Sequence, residues 1–338
     1  MQLVIGTDEA GYGPNIGPLV VTATGWLLEE ADGYSKPFSK PGLPDLFQYF
    51  SHLFCSLDEP AGDRIPIGDS KKIYQSGNGL SGLERAVLPL AGFVEGENRK
   101  SLRTWENLLD SFLARESFFQ AADILPWYRD FNPVLPIDLD PLHLASQRSF
   151  LESPAPAHGK LLKPVSRIIE PFEFNRRCRE LGNKSTLLSR TTLEVIRDLV
   201  TQTNSIYPIH GIHIQCDKHG GRNHYAGMIQ SVFEDCWVQV DSESRERSCY
   251  RLQQDGTSYH FEFVARGDSL FPSIALSSMV SKYLREICMM ALNRFWQCRK
   301  KELLPTAGYP ADARRFRQEI ADSLPELGLQ ESDWWRDR

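Results

Sequence analysis

The stretch that decides the fold is "GTDEAGYGPNIGP", residues 6–18. It contains two adjacent acids, Asp8 and Glu9, together with four glycines and two prolines. The flanking residues 2–7 and 18–26 are rich in apolar and β-branched side chains, which is typical of strands. We therefore predict two strands joined by a glycine loop, with a pair of carboxylates at the mouth of that loop.

The composition is that of a globular protein. The chain has 338 residues, 41% of them hydrophobic, which predicts about two domains or one large domain with insertions. The formal net charge of −6 gives no sign of a general affinity for polyanions, although a local basic groove is compatible with it. The sequence contains no P-loop, dinucleotide fingerprint or Ser-His-Asp arrangement.

The cysteines and the apolar runs bear on location. Seven cysteines are dispersed without a CxxC pair, which is typical of reduced thiols. No apolar run reaches membrane-spanning length, and the first residues lack the charged start of a secretory signal. We therefore expect a cytoplasmic protein with no membrane partner.

The second half of the chain alternates helical and strand patterns. Residues 183–203 have apolar positions at helical spacing, and residues 211–217 form a β-rich run that ends on an aspartate. An Asp-Gly turn between two alternating arms predicts a hairpin over 249–264, and Pro272 suits the first turn of a long helix. The segment 166–174 is predicted to be a strand. Mixed α/β is the expected class.

Three aspartates stand at strand ends or helix starts. Asp8 ends the first predicted strand, Asp217 ends another, and Asp268 precedes the long helix. Taken one by one, each is also explained as a turn or helix-cap residue. If they converge at the carboxyl edge of a sheet, their repulsion requires cations, and oxygen ligands select Mg²⁺ or Mn²⁺. Two such ions would form a site for phosphodiester hydrolysis.

Four blocks of the sequence together resemble the type 2 ribonucleases H, the ribonuclease HII and HIII family. The first block, "TDEAGYGPNIGPLVVTA", is similar to the opening motif of that family, and "GDSLFPSIALSSMVSKYLRE" is similar to its last motif. "GDSKKIY" and "NKSTLLSRTTLEVIRDL" resemble the two motifs between them. The blocks occur in the family order and cover about half of the chain.

The resemblance implies a fold and a division of the chain. It predicts a ribonuclease H-like α/β fold, with a mixed five-stranded sheet flanked by helices. The catalytic domain would span residues 1–300, with an inserted region at about 90–160 and a hairpin insertion at about 220–265. Residues 301–338 would form a C-terminal helical segment.

The resemblance also implies a metal site. Asp8, Glu9, Asp217 and Asp268 would be both the catalytic residues and the ligands of two Mg²⁺ or Mn²⁺ ions, with Asp8 shared between the ions. Neighbouring residues on a strand point to opposite faces, so Asp8 and Glu9 reach one cluster only if the strand ends at Asp8. The glycines that follow favour such a break.

Substrate contacts follow from the same resemblance. The main chain of Gly11, Tyr12 and Gly13 would detect the 2′-hydroxyl of a ribonucleotide, since glycine amides can approach a sugar closely. A tight turn that requires glycine explains the same residues.

Three further side chains would contact the nucleic acid. Lys71 and Lys72 would contact phosphates, and Tyr309 would pack on the sugar at an RNA–DNA junction. Solvated lysines and an exposed tyrosine without a role remain the alternative interpretations.

Several positions depart from the family pattern. Tyr12 stands where the family has arginine or lysine, and Lys218 follows Asp217 where the family has glycine. About fifty residues separate Asp217 from Asp268, more than in the family. The histidines near Asp217 match no zinc spacing. The chain therefore resembles a divergent member of the family with a remodelled substrate surface.

The expected activity is endonucleolytic hydrolysis of RNA in RNA–DNA hybrids, or at ribonucleotides embedded in duplex DNA. The products would carry 5′-phosphate and 3′-hydroxyl ends. Two alternatives remain open: a nuclease of the same fold acting on other structured nucleic acid, and a catalytically silent nucleic-acid-binding protein.

Overall fold

The computed structural model describes residues 1–29, 45–74, 79–92, 103–112, 121, 123–151 and 159–337. In chain order the strands are β1 Gln2–Ala10, β2 Leu19–Leu28, β3 Phe54–Ser56, β4 Ile65–Ile67, β5 Gly159–Leu161, β6 Val165–Ile169, β7 Gly211–Asp217, β8 Gln239–Glu243, β9 Arg247–Gln254 and β10 Thr257–Val264. The α-helices are α1 Leu46–Tyr49, α2 Ser70–Ile73, α3 Ser81–Val87, α4 Trp105–Ser111, α5 Pro141–Leu151, α6 Pro171–Leu181, α7 Lys184–Asn204, α8 Ala226–Val232, α9 Pro272–Arg299, α10 Pro310–Ile320 and α11 Glu331–Trp334. Much of the predicted insertion at 90–160 lies outside the described residues.

The central sheet is mixed. Its order is β5-β2-β1-β7-β10-β9-β8, and β6 also pairs with β2. Strand β1 is antiparallel to β2 and parallel to β7, and β7 is parallel to β10. The predicted mixed α/β class, with a mixed sheet flanked by helices, is confirmed.

The sheet is larger than the predicted five strands, because eight strands of the described chain belong to it. The hairpin predicted over 249–264 is present as β9 and β10, and its second arm pairs directly with β7. Strand β8 extends the sheet beyond β9, and the short β5 pairs with β2 at the other edge. The boundaries proposed for the hairpin insertion and for the catalytic domain remain predictions.

Two hydrophobic cores cover the two faces of the sheet. Along β1, Val4 faces the core that contains Met279 of α9, whereas Leu3 faces the core that contains Leu188 and Val195 of α7. This alternation is the strand period of two. The long helices α9 and α7 therefore lie on opposite faces of β1, the strand that carries the paired acids.

One helix start was predicted as strand. The predicted strand at 166–174 ends at Ile169, and Pro171 begins α6. Proline has no N–H to lose at the first helical position, and its fixed φ suits the first turn. The apolar pattern of the segment did not separate the strand from the helix.

Gly6 allows α9 to lie directly against β1. A Cβ at this position would be 2.1 Å from the carbonyl carbon of Ser273 and 2.6 Å from the backbone nitrogen of Ile274. The Ser277 hydroxyl donates to the Gly6 carbonyl at 2.8 Å, and the Ser281 hydroxyl donates to the Asp8 carbonyl at 3.1 Å. The small residue at 6 and the serines of α9 together fix the helix to the acid-bearing strand.

Gly6→Ala is expected to destabilise the protein by about 3 kcal/mol, because backbone atoms of α9 must move to admit the methyl group. The measurement is the free energy of unfolding in urea. Gly211→Ala is the matched control, since a Cβ there meets no atom within 4 Å and should change stability by less than about 0.5 kcal/mol. Equal stabilities of the two variants would contradict the close approach of α9.

The C-terminal segment packs on the same body. Phe316 and Trp334 belong to the core beneath α9. The Asn15 backbone N–H donates to the Gly308 carbonyl at 2.8 Å, so the segment also touches the glycine loop. The start of this segment at residue 301 remains a prediction.

Candidate active site

The four predicted acids lie at the carboxyl edge of the three parallel strands. The register of β1 with β7 runs to the pair Thr7 and Cys216, so Asp8 and Asp217 follow side by side. Asp217 is also paired with Val264, the last residue of β10. Four residues after β10, Asp268 lies in a short 3₁₀ turn, Gly267–Ser269.

A backbone hydrogen bond joins the turn that carries Asp268 to Asp217. The Gly267 N–H donates to Oδ1 of Asp217 at 2.7 Å. Arg266, just before the turn, has a left-handed backbone with φ 59°. The chain thus reverses sharply after β10, and this reversal brings Asp268 back toward the strand ends.

The prediction that strand β1 ends at Asp8 is wrong, because the strand continues to Ala10. Its antiparallel ladder with β2 continues to the pair Ala10 and Val20, whereas its parallel ladder with β7 stops at Thr7. Beyond Thr7 the side of β1 that faces β7 is therefore open. The Glu9 backbone N–H donates to Oδ1 of Asp8 at 2.8 Å, and both acids are partly buried. Both acids therefore lie where β1 is still paired with β2 but no longer with β7. This one-sided pairing, and not a break in the strand, places them at the same edge of the sheet.

The pKa values show that these acids act on one another. Burial raises the pKa of Asp8 to about 7, and the charges of Asp217 and Asp268 add to the rise. Burial also raises the pKa of Glu9, with further contributions from Asp8 and Asp217. The pKa of Asp217 is raised by burial and by Asp268, while the Gly267 N–H opposes the shift. Asp8, Glu9 and Asp217 are therefore near enough for their charges to interact, and Asp268 acts on Asp8 and Asp217.

The chemistry of this cluster fits a hard cation. No three His, Cys, Asp or Glu side chains in the described ranges are already arranged as a metal site. The cluster nevertheless offers only carboxylate oxygens, the donors that Mg²⁺ and Mn²⁺ prefer. A bound cation would relieve the repulsion that raises these pKa values.

Ser278 of α9 links the acid cluster to the segment "GDSKKIY". Its side chain hydrogen bonds to the Asp8 carboxylate, which opposes the rise in the pKa of Asp8. Its hydroxyl also lies 3.1 Å from that of Ser70, the first residue of α2. Lys71 and Lys72 follow on α2 and are exposed. The charge of Lys71 lowers the pKa of Asp217, so this lysine flanks the cluster.

The buried Arg336 side chain donates hydrogen bonds to carbonyls of the glycine loop. The residue is only 2% exposed. Its guanidinium donates to the carbonyl of Gly11 at 2.5 Å, to that of Gly17 at 2.5 Å and to that of Pro14 at 3.5 Å. These acceptors span the loop, so one side chain orients three of its carbonyls. Sequence analysis missed this residue because no local pattern marks it.

The Tyr12 amide points away from Arg336. The carbonyl and the N–H of one peptide unit are opposed, so the Gly11 carbonyl that faces Arg336 directs the Tyr12 N–H outward. In the described chain, neither the Tyr12 N–H nor the Gly13 N–H has an acceptor. A Cβ on Gly13 would meet no atom within 4 Å. This part of the loop can therefore be approached closely from outside.

The predicted loop residues lie beside the acids. Glu9 is close enough to Tyr12 to raise its pKa, after the larger effect of burial. Gly11 has φ 86°, and a Cβ there would be 2.4 Å from the Pro18 carbonyl oxygen. The tight-turn interpretation of Gly11 is therefore correct, and it does not exclude a role in binding.

Tyr309 lies near the loop but not in the acid cluster. Tyr309 immediately precedes α10 and is 52% exposed. Its neighbour Gly308 contacts the loop so closely that a Cβ would be 2.3 Å from the Ile16 carbonyl oxygen. Tyr309 is thus an exposed residue next to one that contacts the loop, and its contact with a sugar remains a prediction.

Two of the histidines near Asp217, His213 and His219, have lowered pKa values. His219 is buried, and its ring nitrogens lie 2.9 Å from the Ser189 hydroxyl and 3.3 Å from that of Thr192. Burial lowers the pKa of His219 to about 3 and that of His213 to about 3. Both rings are therefore neutral at pH 7 and have structural roles.

Glu170 is a buried acid close to Arg336. The Tyr128 hydroxyl donates to its Oε1 at 2.7 Å. Burial raises the pKa of Glu170 to about 7, although the Tyr128 hydrogen bond and the charge of Arg336 oppose the shift. An acid with a raised pKa destabilises the folded state as it ionises.

Between pH 4.5 and 7 the wild-type protein is therefore expected to lose stability relative to Glu170→Gln, by up to about 3 kcal/mol. Urea unfolding of both proteins at pH 5 and pH 8 measures the difference. The exposed Glu326→Gln should match wild type at both pH values. A stability difference that does not change with pH would rule out this titration.

The fold and the site together define an α/β protein with an acidic centre at the carboxyl edge of a mixed sheet. No helix among the described residues is long and apolar enough to span a membrane. No protein-family model matches the sequence, and no curated protein matches it.

Solved structures to which the chain is similar are type 2 ribonucleases H. One is the ribonuclease H2 of Pyrococcus horikoshii OT3, with a TM-score of 0.41 and 12% identity over 98% of this chain and 92% of that one. Another is the RNase HII of Archaeoglobus fulgidus in its PCNA complex, with a TM-score of 0.38 and 12% identity over 99% and 94%. A third is Bst-RNase HIII with Mn²⁺, with a TM-score of 0.38 and 13% identity over 99% and 66%. TM-scores below 0.5 at such identities establish neither the activity nor the substrate of this chain.

Proposed function

We propose that the protein is a divalent-metal-dependent endoribonuclease that hydrolyses RNA in RNA–DNA hybrids or at ribonucleotides embedded in duplex DNA. The proposal is supported by the positions of Asp8, Glu9, Asp217 and Asp268 at one edge of the sheet, beside a glycine loop that can be approached from outside. We propose a cytoplasmic location, as the composition favours, and a nucleic-acid partner of this class.

Asp8, Glu9, Asp217 and Asp268 would hold two Mg²⁺ or Mn²⁺ ions. When bound, such ions supply a Lewis acid and an activated water for phosphodiester hydrolysis. Asp8 lies between Glu9 and Asp217, so its carboxylate is the one suited to be shared. Ser278 keeps that carboxylate in place through its hydrogen bond.

The glycine loop would distinguish RNA from DNA. The 2′-hydroxyl is both donor and acceptor, so it can accept from an outward amide such as that of Tyr12 or Gly13. Arg336 holds the carbonyls of the loop inward and thereby keeps those amides available. Tyr309, which is exposed beside the loop, would pack on the neighbouring sugar.

Lysines would contact the backbone phosphates near the acids. Lys71 is close to Asp217 and exposed, and Lys72 is exposed on the same helix. A polyanion that approaches four carboxylates requires positive charge nearby, because the cluster itself repels it. The lysines of α2 are placed to supply that charge.

The test is cleavage of an internally labelled RNA–DNA hybrid, compared with an all-DNA duplex and with a DNA duplex that contains one ribonucleotide. We expect cleavage only with Mg²⁺ or Mn²⁺, only where a 2′-hydroxyl is present, and none with Asp268→Asn. Cleavage that survives EDTA and this substitution would contradict the mechanism.

Two outcomes favour the alternatives. Equal cleavage of the all-DNA duplex would favour a nuclease for other structured nucleic acid. Calorimetry that shows no Mn²⁺ binding, together with intact hybrid binding, would favour a silent binding protein. Four neighbouring carboxylates without a cation are costly, which argues against the silent protein.

A further inference from the structure

A cavity of about 240 Å³ lies beside the glycine loop, on the side of α7. Its walls include Tyr12, Gly13 and Asn15 of the loop, Phe174 of α6, Lys184 at the start of α7, and the neighbouring residues Arg336 and Asp337. It lies next to the outward amides and close to the acid cluster, because Tyr12 neighbours Glu9.

The cations of this cavity stand over aromatic rings. Nζ of Lys184 lies 4.9 Å from the centre of the Tyr12 ring, and the Arg336 guanidinium lies 4.5 Å from that of Phe174. No carboxylate of the described residues forms an ion pair with Lys184. A ring attracts a cation weakly, by about 0.5–1 kcal/mol at an exposed site, and it leaves the charge uncompensated.

A second cation without a carboxylate lies next to Lys184. Arg222 donates to the hydroxyls of Ser185 at 3.4 Å and Thr186 at 3.3 Å, both in the first turn of α7. Its Nε is buried and has no partner. Arg222 is also close enough to Tyr12 to interact with it electrostatically.

Lys184 and Arg222 thus both lie near Tyr12, and Asp337 is the carboxylate among the described residues that line the cavity. Two positive charges near one another repel. An anion that binds both side chains removes this repulsion. The loop 6–18 itself contains no lysine or arginine, so any positive charge beside it comes from elsewhere in the chain. Lys71, on α2, acts on Asp217.

We propose that Lys184 and Arg222 bind a backbone phosphate of the nucleic-acid strand whose sugar contacts the glycine loop. This inference rests on the proposed function, since it names a phosphate contact of the same substrate. Tyr12 orients Lys184, and Ser185 and Thr186 orient Arg222. Lys184 thereby provides the positive charge that the loop lacks at Tyr12.

The test is the salt dependence of binding to a labelled RNA–DNA hybrid, measured by fluorescence anisotropy with the Asp8→Asn protein so that the strand is not cut. Adding Lys184→Gln is expected to raise Kd about tenfold at 0.1 M salt and to reduce the slope of log K against log salt by about one. Lys184→Arg should keep the slope. Lys301→Gln removes an exposed lysine beyond the far end of α9 and should change neither quantity.

The outcomes separate this site from the proposed function. No hybrid binding by the Asp8→Asn protein itself would overturn the proposed function and the site together. Binding with an unchanged slope after Lys184→Gln would overturn the site alone. A rise in Tm with inorganic phosphate that Lys184→Gln removes, without any effect on hybrid binding, would assign the site to free phosphate and also overturn the proposal.

Discussion

Asp8→Asn is expected to slow cleavage of an RNA–DNA hybrid by at least about a thousandfold, which corresponds to roughly 4 kcal/mol of transition-state stabilisation. The charges of Asp217 and Asp268 act on Asp8, and Asp8 in turn acts on Glu9. An amide of the same shape can still accept from Ser278, so the fold around it should be preserved. The measurement is the multiple-turnover rate at saturating Mg²⁺.

The same substitution is expected to stabilise the metal-free protein. The folded-state pKa of Asp8 is raised to about 7, so ionisation costs the wild type stability as pH rises from about 4 to 7. At pH 8 in EDTA, Asp8→Asn should be more stable by about 1–3 kcal/mol, and at pH 4 the two should be alike. Thermal unfolding at both pH values measures this difference.

A surface variant separates the two effects from general charge removal. Asp58 is exposed, and Asp58→Asn should leave both the cleavage rate and the pH dependence of stability unchanged. Full cleavage by Asp8→Asn would remove Asp8 from the catalytic centre. If Asp8→Asn is less stable than the wild type at pH 8, the Asp8 carboxylate is not repelled by its neighbours in the folded wild-type protein.

Arg336→Met is expected to destabilise the protein by about 3–5 kcal/mol. Hydrogen bonds from a charged donor contribute about 1.5–3 kcal/mol each, and the change leaves the carbonyls of Gly11 and Gly17 buried without a donor. Methionine keeps part of the packing against Phe174 but carries no donor. The measurement is the free energy of unfolding in urea.

Hybrid binding should weaken in the same variant, because the loop carbonyls are no longer held inward and the outward amides lose their orientation. Arg336→Lys should recover only part of the stability, since one ammonium cannot reproduce the planar fork on two carbonyls. Arg179→Met is the matched control: Arg179 is exposed, and it pairs only loosely with Asp337, at 3.9 Å. Similar losses in Arg336→Met and Arg179→Met would contradict the role of Arg336 in the loop.

Much of the site could be predicted from local sequence. Asp8 and Glu9 stand between an apolar strand and a glycine loop, and Asp217 ends a β-rich run, so their positions at strand ends follow from short-range patterns. The helix at 184–204 and the hairpin turn at Asp255 were likewise predictable, since periodicity and turn residues act within a few positions.

Other features had no local signal. Ser278 contacts Asp8 across 270 positions, and Arg336 contacts Gly11 across 325. Whether β1 breaks at Asp8 was also undecidable from its own residues, because the answer depends on how far the neighbouring strands extend. The strand that was predicted through residue 174 failed for a related reason: the apolar pattern suits a strand and a helix equally.

The sequence by itself determined where the four acids and the glycine loop stand relative to the strands that present them, because residue type and spacing act over short distances. Only the tertiary structure decided how these parts meet. The one-sided ladder of β1, the support of the loop by Arg336 and the pairing of Lys184 with Tyr12 each join segments far apart in the chain. Such contacts arise from packing and hydrogen bonding in three dimensions, and no spacing along the chain encodes them.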